Sequence, residues 1–183
     1  MSSLNSQITT ITQAANGNWA NFETIAVGNE LVFRGEATVA QVVAAVGTTR
    51  TNLRAAGYTG SVVTVDTIAT IRANPSLCTT SDYCAVNVHP FYNGVAASAA
   101  GSTIKSQVTA LQSVVGTAKS IVITETGWPT QGNAVGNAVP SVANQKTAIT
   151  SIKNAFSSSV IFYSAFDTLW AAPGEQHWGI LGH

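Results

Sequence analysis

Two glutamates stand where apolar runs stop. Ser120 to Pro129 reads S-I-V-I-T-E-T-G-W-P, and Ile121, Val122 and Ile123 make the continuous β-branched run expected of a strand buried on both faces of a parallel sheet. Glu125 follows, just before Gly127 and Pro129. Thr24 to Glu30, T-I-A-V-G-N-E, has the same form, with Asn29 and Glu30 at its end. The carboxyl ends of strands are where α/β folds place their chemistry, although a strand-end Glu also serves as a surface ion-pair partner. The chain has neither Cys/His metal spacing nor a Gly-rich phosphate loop, so no metal and no cofactor is expected. Two carboxylates then fit acid/base work, most commonly glycoside hydrolysis: one group gives a proton to the leaving oxygen, and the other attacks or activates water. The absence of a G-x-S-x-G elbow argues against a Ser-His-Asp hydrolase.

The composition makes each acid informative. Charged residues are 9% of the 183, against roughly 25% in an average soluble protein. Zero formal net charge argues against a nucleic-acid partner, which would need a basic face for the phosphates. No apolar run approaches a membrane span of about 20 residues, so no membrane partner is expected. The opening M-S-S-L-N-S-Q has neither a basic nor an apolar segment and does not read as a signal peptide. The length suits a single domain, residues 1–183.

Alternating strand and helix signals must position the two glutamates. Leu4, Ile8 and Ile11 share a face of a first helix ending near Asn16-Gly17. After the Glu30 strand, Thr38 caps a helix with Val39, Val42, Val43, Val46 and Leu53 on its apolar face, stopped by Gly57. S-V-V-T-V-D is a strand ending at Asp66, and Ile68 to Ala73 a short helix closed by Asn74-Pro75. A-V-N-V-H-P ends at His89, with Phe91 and Tyr92 just beyond. Ser102 caps a helix bearing Ile104, Val108, Leu111 and Val115, before Gly116. After the Glu125 strand, Pro140 starts a helix that buries Ala148, Ile149, Ile152 and Phe156. The last strand, V-I-F-Y-S-A-F, ends at Asp167. All five strands thus end in an ionisable residue, Glu30, Asp66, His89, Glu125 and Asp167, and right-handed crossovers would bring these ends to one rim. Asp66 reads equally well as the N-cap of the helix after it. Tyr92, Trp128, Trp170 and Trp178 offer flat faces for sugar rings, and core packing is the competing reading for each. His89 alone would also suit a structural histidine.

The combination I-A-V-G-N-E, V-N-V-H-P-F-Y, I-V-I-T-E-T-G-W-P and A-F-D-T-L-W with E-Q-H-W-G, spanning Ile25 to Gly179, resembles the fungal family 17 glycoside hydrolases, the β-1,3-glucanases and β-1,3-glucanosyltransferases. The resemblance implies a (β/α)8 barrel and a retaining double displacement. Glu30 matches the general acid/base after barrel strand four, and Glu125 the nucleophile after strand seven. Asn29 matches the residue that bonds the sugar 2-OH. His89, Tyr92 and Asp167 match positions lining the glucan cleft, with Trp128 and Trp170 as neighbours, and Glu175 matches an acidic position before the terminal W-G. Retaining chemistry would set the two glutamates about 5 to 5.5 Å apart. Thr168 and Ala171 replace the acid and lysine that usually follow the last strand. The family also has three βα units before the Glu30 strand, and such barrels take about 250 residues. The expected fold is therefore α/β: a partial TIM (β/α) barrel of about five parallel strands, corresponding to barrel strands 4 to 8.

The function this implies is retaining hydrolysis of β-1,3-glucan. A glucan-binding or decoy protein with little turnover and a β-1,3-glucanosyltransferase are the alternatives. The Ser/Thr/Asn-rich composition and the resemblance suggest an extracellular or cell-wall protein. Cys78 and Cys84, the only cysteines, suit a disulfide, with a reduced buried pair as the other reading. An incomplete barrel would expose the Glu30 strand and the Val160 to Phe166 strand as edges. A homodimer through those edges is expected, or else a first helix folded across the gap.

Overall fold

The computed structural model describes residues 2–182. Five strands form one parallel sheet in the order β1-β2-β3-β4-β5: β1 Thr24–Asn29, β2 Ser61–Thr67, β3 Cys84–Asn87, β4 Ile121–Thr126 and β5 Val160–Phe162. Helices α1 Ser2–Ala15, α2 Val39–Ala55, α3 Ile68–Ala73, α4 Ser76–Thr80, α5 Ala100–Val115 and α6 Val142–Ala155 fill the intervals. This is the α/β, partial-barrel layout that the sequence implied. The chain divides into two compact units, residues 1–85 with 114–121, and residues 86–113 with 122–183.

In the first unit α1 stops at Asn16 and Gly17, both at positive φ, and packs on α2. Thr38 caps α2 through a reciprocal capping box with Gln41, which satisfies two of the backbone donors that a helix start leaves unpaired. α2 buries Val42, Val46, Thr49 and Leu53. β2 has five consecutive buried residues, as its unbroken apolar run requires. One helix is not legible in the sequence: α4, five residues of S-L-C-T-T, too short and too polar to show a period. It is pinned by the Cys78–Cys84 disulfide, by Arg50 Nη2 on the Thr80 carbonyl at 2.6 Å, and by Lys119 on the Thr79 and Ser81 carbonyls.

In the second unit the core gathers Ile104, Leu111, Ile123, Trp128, Ala148 and Ile152. α5 begins at Ala100, so Ser102 lies within the first turn instead of capping it. The 3-10 turn Ala97–Ala99 runs directly into the helix, and Ser102 Oγ donates to the Ala99 carbonyl. α6 is capped by Ser141, which accepts from the Asn144 N–H, one residue after Pro140. The expected seven-residue last strand is cut to three. Tyr163 N–H still donates to the Thr126 carbonyl at 2.7 Å, but Ser164 N–H turns to the Trp178 carbonyl and Ile180 N–H to Ser164. Its ladder bonds therefore go to the C-terminal segment and leave β4.

Candidate active site

Glu30 and Glu125 are each tied to an irregularity in their strand. From Ala26↔Val63 to Asn29↔Val65 the register advances three residues along β1 for two along β2. From Ile123↔Val160 to Thr126↔Phe162 it advances three along β4 for two along β5. One extra residue on the acid-bearing strand is the mark of a β-bulge, which bends a strand and re-aims the side chains beyond it. In β1 the bulge falls at Val27-Gly28, just ahead of Asn29 and Glu30. Gly28 has φ +77°, and a Cβ there would overlap the Leu31 side chain, so glycine is required. In β4 the bulge includes Glu125 itself.

In the first unit Glu30 holds φ +55°, a left-handed conformation that costs a non-glycine residue about 1–3 kcal/mol unless its surroundings enforce it. Here they do. Glu30 N–H donates to the Val65 carbonyl at 2.9 Å, and its own carbonyl accepts from Arg34 N–H at 3.0 Å. Asp66, 2% exposed, completes the brace: Oδ2 accepts the Val32 and Phe33 N–H groups at 3.1 and 3.4 Å, and Oδ1 the Thr67 N–H at 2.8 Å. Thr67, not Asp66, is the N-cap of α3. Asp66 is committed instead to the turn that carries Glu30. Asn29 is exposed and Glu30 partly so. Arg34 closes the same loop with a 2.7 Å ion pair to Glu36, and that hydrogen bond holds the Glu36 carboxyl below the usual carboxylate range.

In the second unit the Glu125 carboxylate, about a third exposed, has His89 Nε2 at 3.8 Å from Oε2. His89 stands at the start of the 3-10 turn Pro90–Asn93, and the Val88 N–H donates to the Glu125 carbonyl at 2.9 Å. The imidazole is walled by Trp178, Tyr163 and Tyr92, at ring centroid distances of 5.1, 5.9 and 6.2 Å. Tyr92 keeps 54% of its surface in solvent while its ring meets His89, Phe91 and Trp178. Burial, with the nearby Glu175 and Glu125 charges, pushes the Tyr163 phenol up.

The remaining expected site residues lie elsewhere in this unit. Trp128 is fully buried, edge-on to Phe91 at 5.2 Å, with its indole N–H on the Val139 carbonyl. It braces the wall from behind and has no open face for a sugar. Asp167 Oδ1 accepts Gly179 N–H, and Oδ2 lies 2.9 Å from His177 Nδ1, so its carboxylate holds the returning C-terminal segment. Trp170 is 90% exposed. Tyr163 and His177 carry no local signal of a role. Tyr163 lies hidden in the apolar last run, and His177 in E-Q-H-W-G, where only the long-range contact with Asp167 reveals it. Among the described residues no His, Cys, Asp and Glu cluster suits a metal ion, and no helix is long and apolar enough to cross a membrane.

Parallel strands with intervening helices define an α/β domain of the partial (β/α)-barrel type. Residues 1–179 match the BtgE/BtgC glycoside hydrolase domain, and the chain belongs to that family. It is 44% identical to the cell surface mannoprotein MP65 of Candida albicans, over all of this chain and 50% of that protein. It is 47% identical to the probable family 17 glucosidase SCW10 of Saccharomyces cerevisiae, over 90% of this chain and 44% of that protein. The chain thus spans about half the length of these relatives. Among solved structures, the family 17 β-1,3-glucanosyltransferase of Rhizomucor miehei superposes with a TM-score of 0.85 at 22% identity, covering 99% of this chain and 68% of that one. That likeness establishes the barrel-type fold.

Proposed function

We propose that this domain cleaves β-1,3-glucan with retention of configuration, outside the cell or in its wall. Glu125 is the nucleophile and Glu30 the acid/base. Glu125 attacks the anomeric carbon while Glu30 gives its proton to the departing glycosidic oxygen. Glu30 then takes a proton from the water that releases the sugar from Glu125. Asn29, beside Glu30, bonds the sugar 2-OH, and Tyr92 gives a sugar ring a flat face. The observation that carries this reading is the pair of matching bulges, one at each glutamate, in a chain of this family.

The test is turnover. Glu125→Gln is expected to bring reducing-sugar release from laminarin below detection. Glu30→Gln is expected to slow it by roughly 10²- to 10⁴-fold, the usual worth of general acid/base catalysis, while sparing the first step on aryl glucosides whose leaving group needs no proton. Unchanged turnover in either variant would refute the assignment. A glucan binder without turnover would appear as retention on insoluble β-1,3-glucan with no sugar released. Transfer to a sugar acceptor uses the same two glutamates and is the second reading. Products longer than the substrate would identify it.

A further inference from the structure

The first unit carries a cavity of about 350 Å³ at the amino ends of β1 and β2, the end of these strands opposite Glu30 and Asp66. Trp19, Phe22, Glu23, Tyr58, Thr59 and Ser61 line it. Its wall is built from long-range bonds. Trp19 Nε1 donates to the Ala56 carbonyl at 2.9 Å, and its ring meets Tyr58 at 5.2 Å and Phe22 at 5.5 Å. Tyr58, 1% exposed, anchors the floor, with its hydroxyl bonded to the Ser61 and Glu23 carbonyls at 3.0 and 3.2 Å. A Cβ on Gly60 would overlap the Tyr58 ring, so glycine lets the loop close over the tyrosine. The rings are therefore fixed before any ligand arrives, which lowers the ordering cost of binding.

We propose that this cavity is a second carbohydrate site, remote from the glutamates, that takes a terminal sugar or short segment of the same β-1,3-glucan. The proposal rests on the substrate class proposed above. The lining matches the two sides of a pyranose. The exposed lining is mostly polar, and the partly buried Trp19 and Phe22 supply a smaller apolar edge for its C–H face. The Glu23 carboxylate and the Thr59 and Ser61 hydroxyls supply acceptors and donors for its hydroxyls. A phosphorylated ligand is disfavoured, because the only charged group in the lining is an anion. The contact between the Trp19 and Phe22 rings leaves no gap for a cation between them, which argues against an aromatic cage. The volume is at the small end of ligand sites, roughly 300–1,000 Å³, and suits a sugar or two better than a long chain.

The experiment is an amide NMR titration of the full chain carrying Glu125→Gln with laminaritriose, repeated with Glu23→Ala and with Thr59→Arg added. Glu23 and Thr59 are exposed at the rim, so both changes leave the core intact. The expected result is saturable shifts at Glu23 and at Thr59 to Ser61, weakened about tenfold by Glu23→Ala, the scale of one charge-assisted hydrogen bond, and abolished by Thr59→Arg. Shifts near His89 and Glu125 should persist in both variants. Shifts confined to the Glu125 surroundings would overturn the second site and leave the proposed function standing. Shifts confined to the cavity would uphold the second site and count against the catalytic reading. An absence of shifts at millimolar sugar would overturn both.

Discussion

Asp66→Asn isolates the device that holds Glu30. The carboxylate is 2% exposed and accepts three backbone N–H groups from two segments. An amide has only one acceptor oxygen. If that oxygen stays on Thr67, the new NH2 faces the Val32 and Phe33 donors. If it turns to those, the NH2 faces Thr67. Either way at least one part-buried N–H is left facing a donor, and the bonds that survive lose the help of a charge. A hydrogen bond to a charged group is worth about 1.5–3 kcal/mol, so the substitution should destabilise the first unit by about 2 kcal/mol. With a urea m-value of about 2 kcal/mol/M for a chain of this size, the midpoint falls by about 1 M. The local readout is amide exchange. Val32 and Phe33 should lose protection while Val42 and Val46 in α2 keep theirs, and laminarin turnover should fall because the turn no longer enforces the left-handed Glu30. A midpoint within about 0.2 M of the parent, with unchanged protection at Val32 and Phe33, would refute the reasoning.

Removing the Cys78–Cys84 bridge, six residues apart in sequence, should cost about 2 kcal/mol in the chain-entropy model. Urea titration of the Cys78→Ser, Cys84→Ser double variant measures it, and two reactive thiols in the unfolded, unreduced protein would contradict the bridge. The Tyr163 phenol is raised by burial, so the folded state holds its proton more tightly than the unfolded one. Its stabilising contribution is complete below the unfolded value near 10 and is lost as pH rises through the higher folded value. Burial raises the Tyr58 phenol too, so ultraviolet titration should show two late-ionising tyrosines, and Tyr163→Phe should remove one of them. β1 and β5 end the sheet order, and Ile161 and Phe166 are 56% and 66% exposed. We therefore expect these 183 residues, expressed by themselves, to self-associate through these edges, most simply as a two-fold dimer. Light scattering behind a sizing column would refute it by returning a monomer at micromolar concentration that binds no hydrophobic dye.

The elements were legible where local chemistry decides them. Thr38 marks the start of α2, Gly57 its stop, and the β-branched runs mark β1, β2 and β4. What stayed hidden depends on contacts distant in sequence. Trp128, next to a strand-end acid, reads equally as a sugar platform or as core. Its burial is settled by Val139 and by Gln145, whose amide donates to the Trp128 and Gly179 carbonyls at 2.9 and 2.8 Å. The V-I-F-Y-S-A-F run promised a long strand because nothing in it shows that residues 178–180 will take its backbone bonds. The bulges were equally silent, apart from Gly28 in the middle of an apolar run.

The five ionisable residues that looked like strand ends in the sequence differ in the structure: Asp66 lies within β2, Asp167 lies beyond the end of β5, and side-chain length separates the aspartates from the glutamates. Aspartate carries its carboxylate on a single methylene and can reach neighbouring backbone N–H groups. Asp66 and Asp167 both do so, and each fixes the turn or segment beside it. Glutamate reaches further and caps poorly, and both glutamates sit at bulges that redirect the strand. His89 stands between the two kinds, close to Glu125 yet enclosed by three rings. The strand-end pattern therefore sorts into braces and aimed groups. Asp66→Glu would make the side chain too long to hold the Val32 and Phe33 amides, and Glu125→Asp would draw the carboxylate back toward the sheet. These two substitutions conserve charge, so a loss of stability in the first, where the added methylene must also be packed, or of laminarin turnover in the second cannot be a loss of charge.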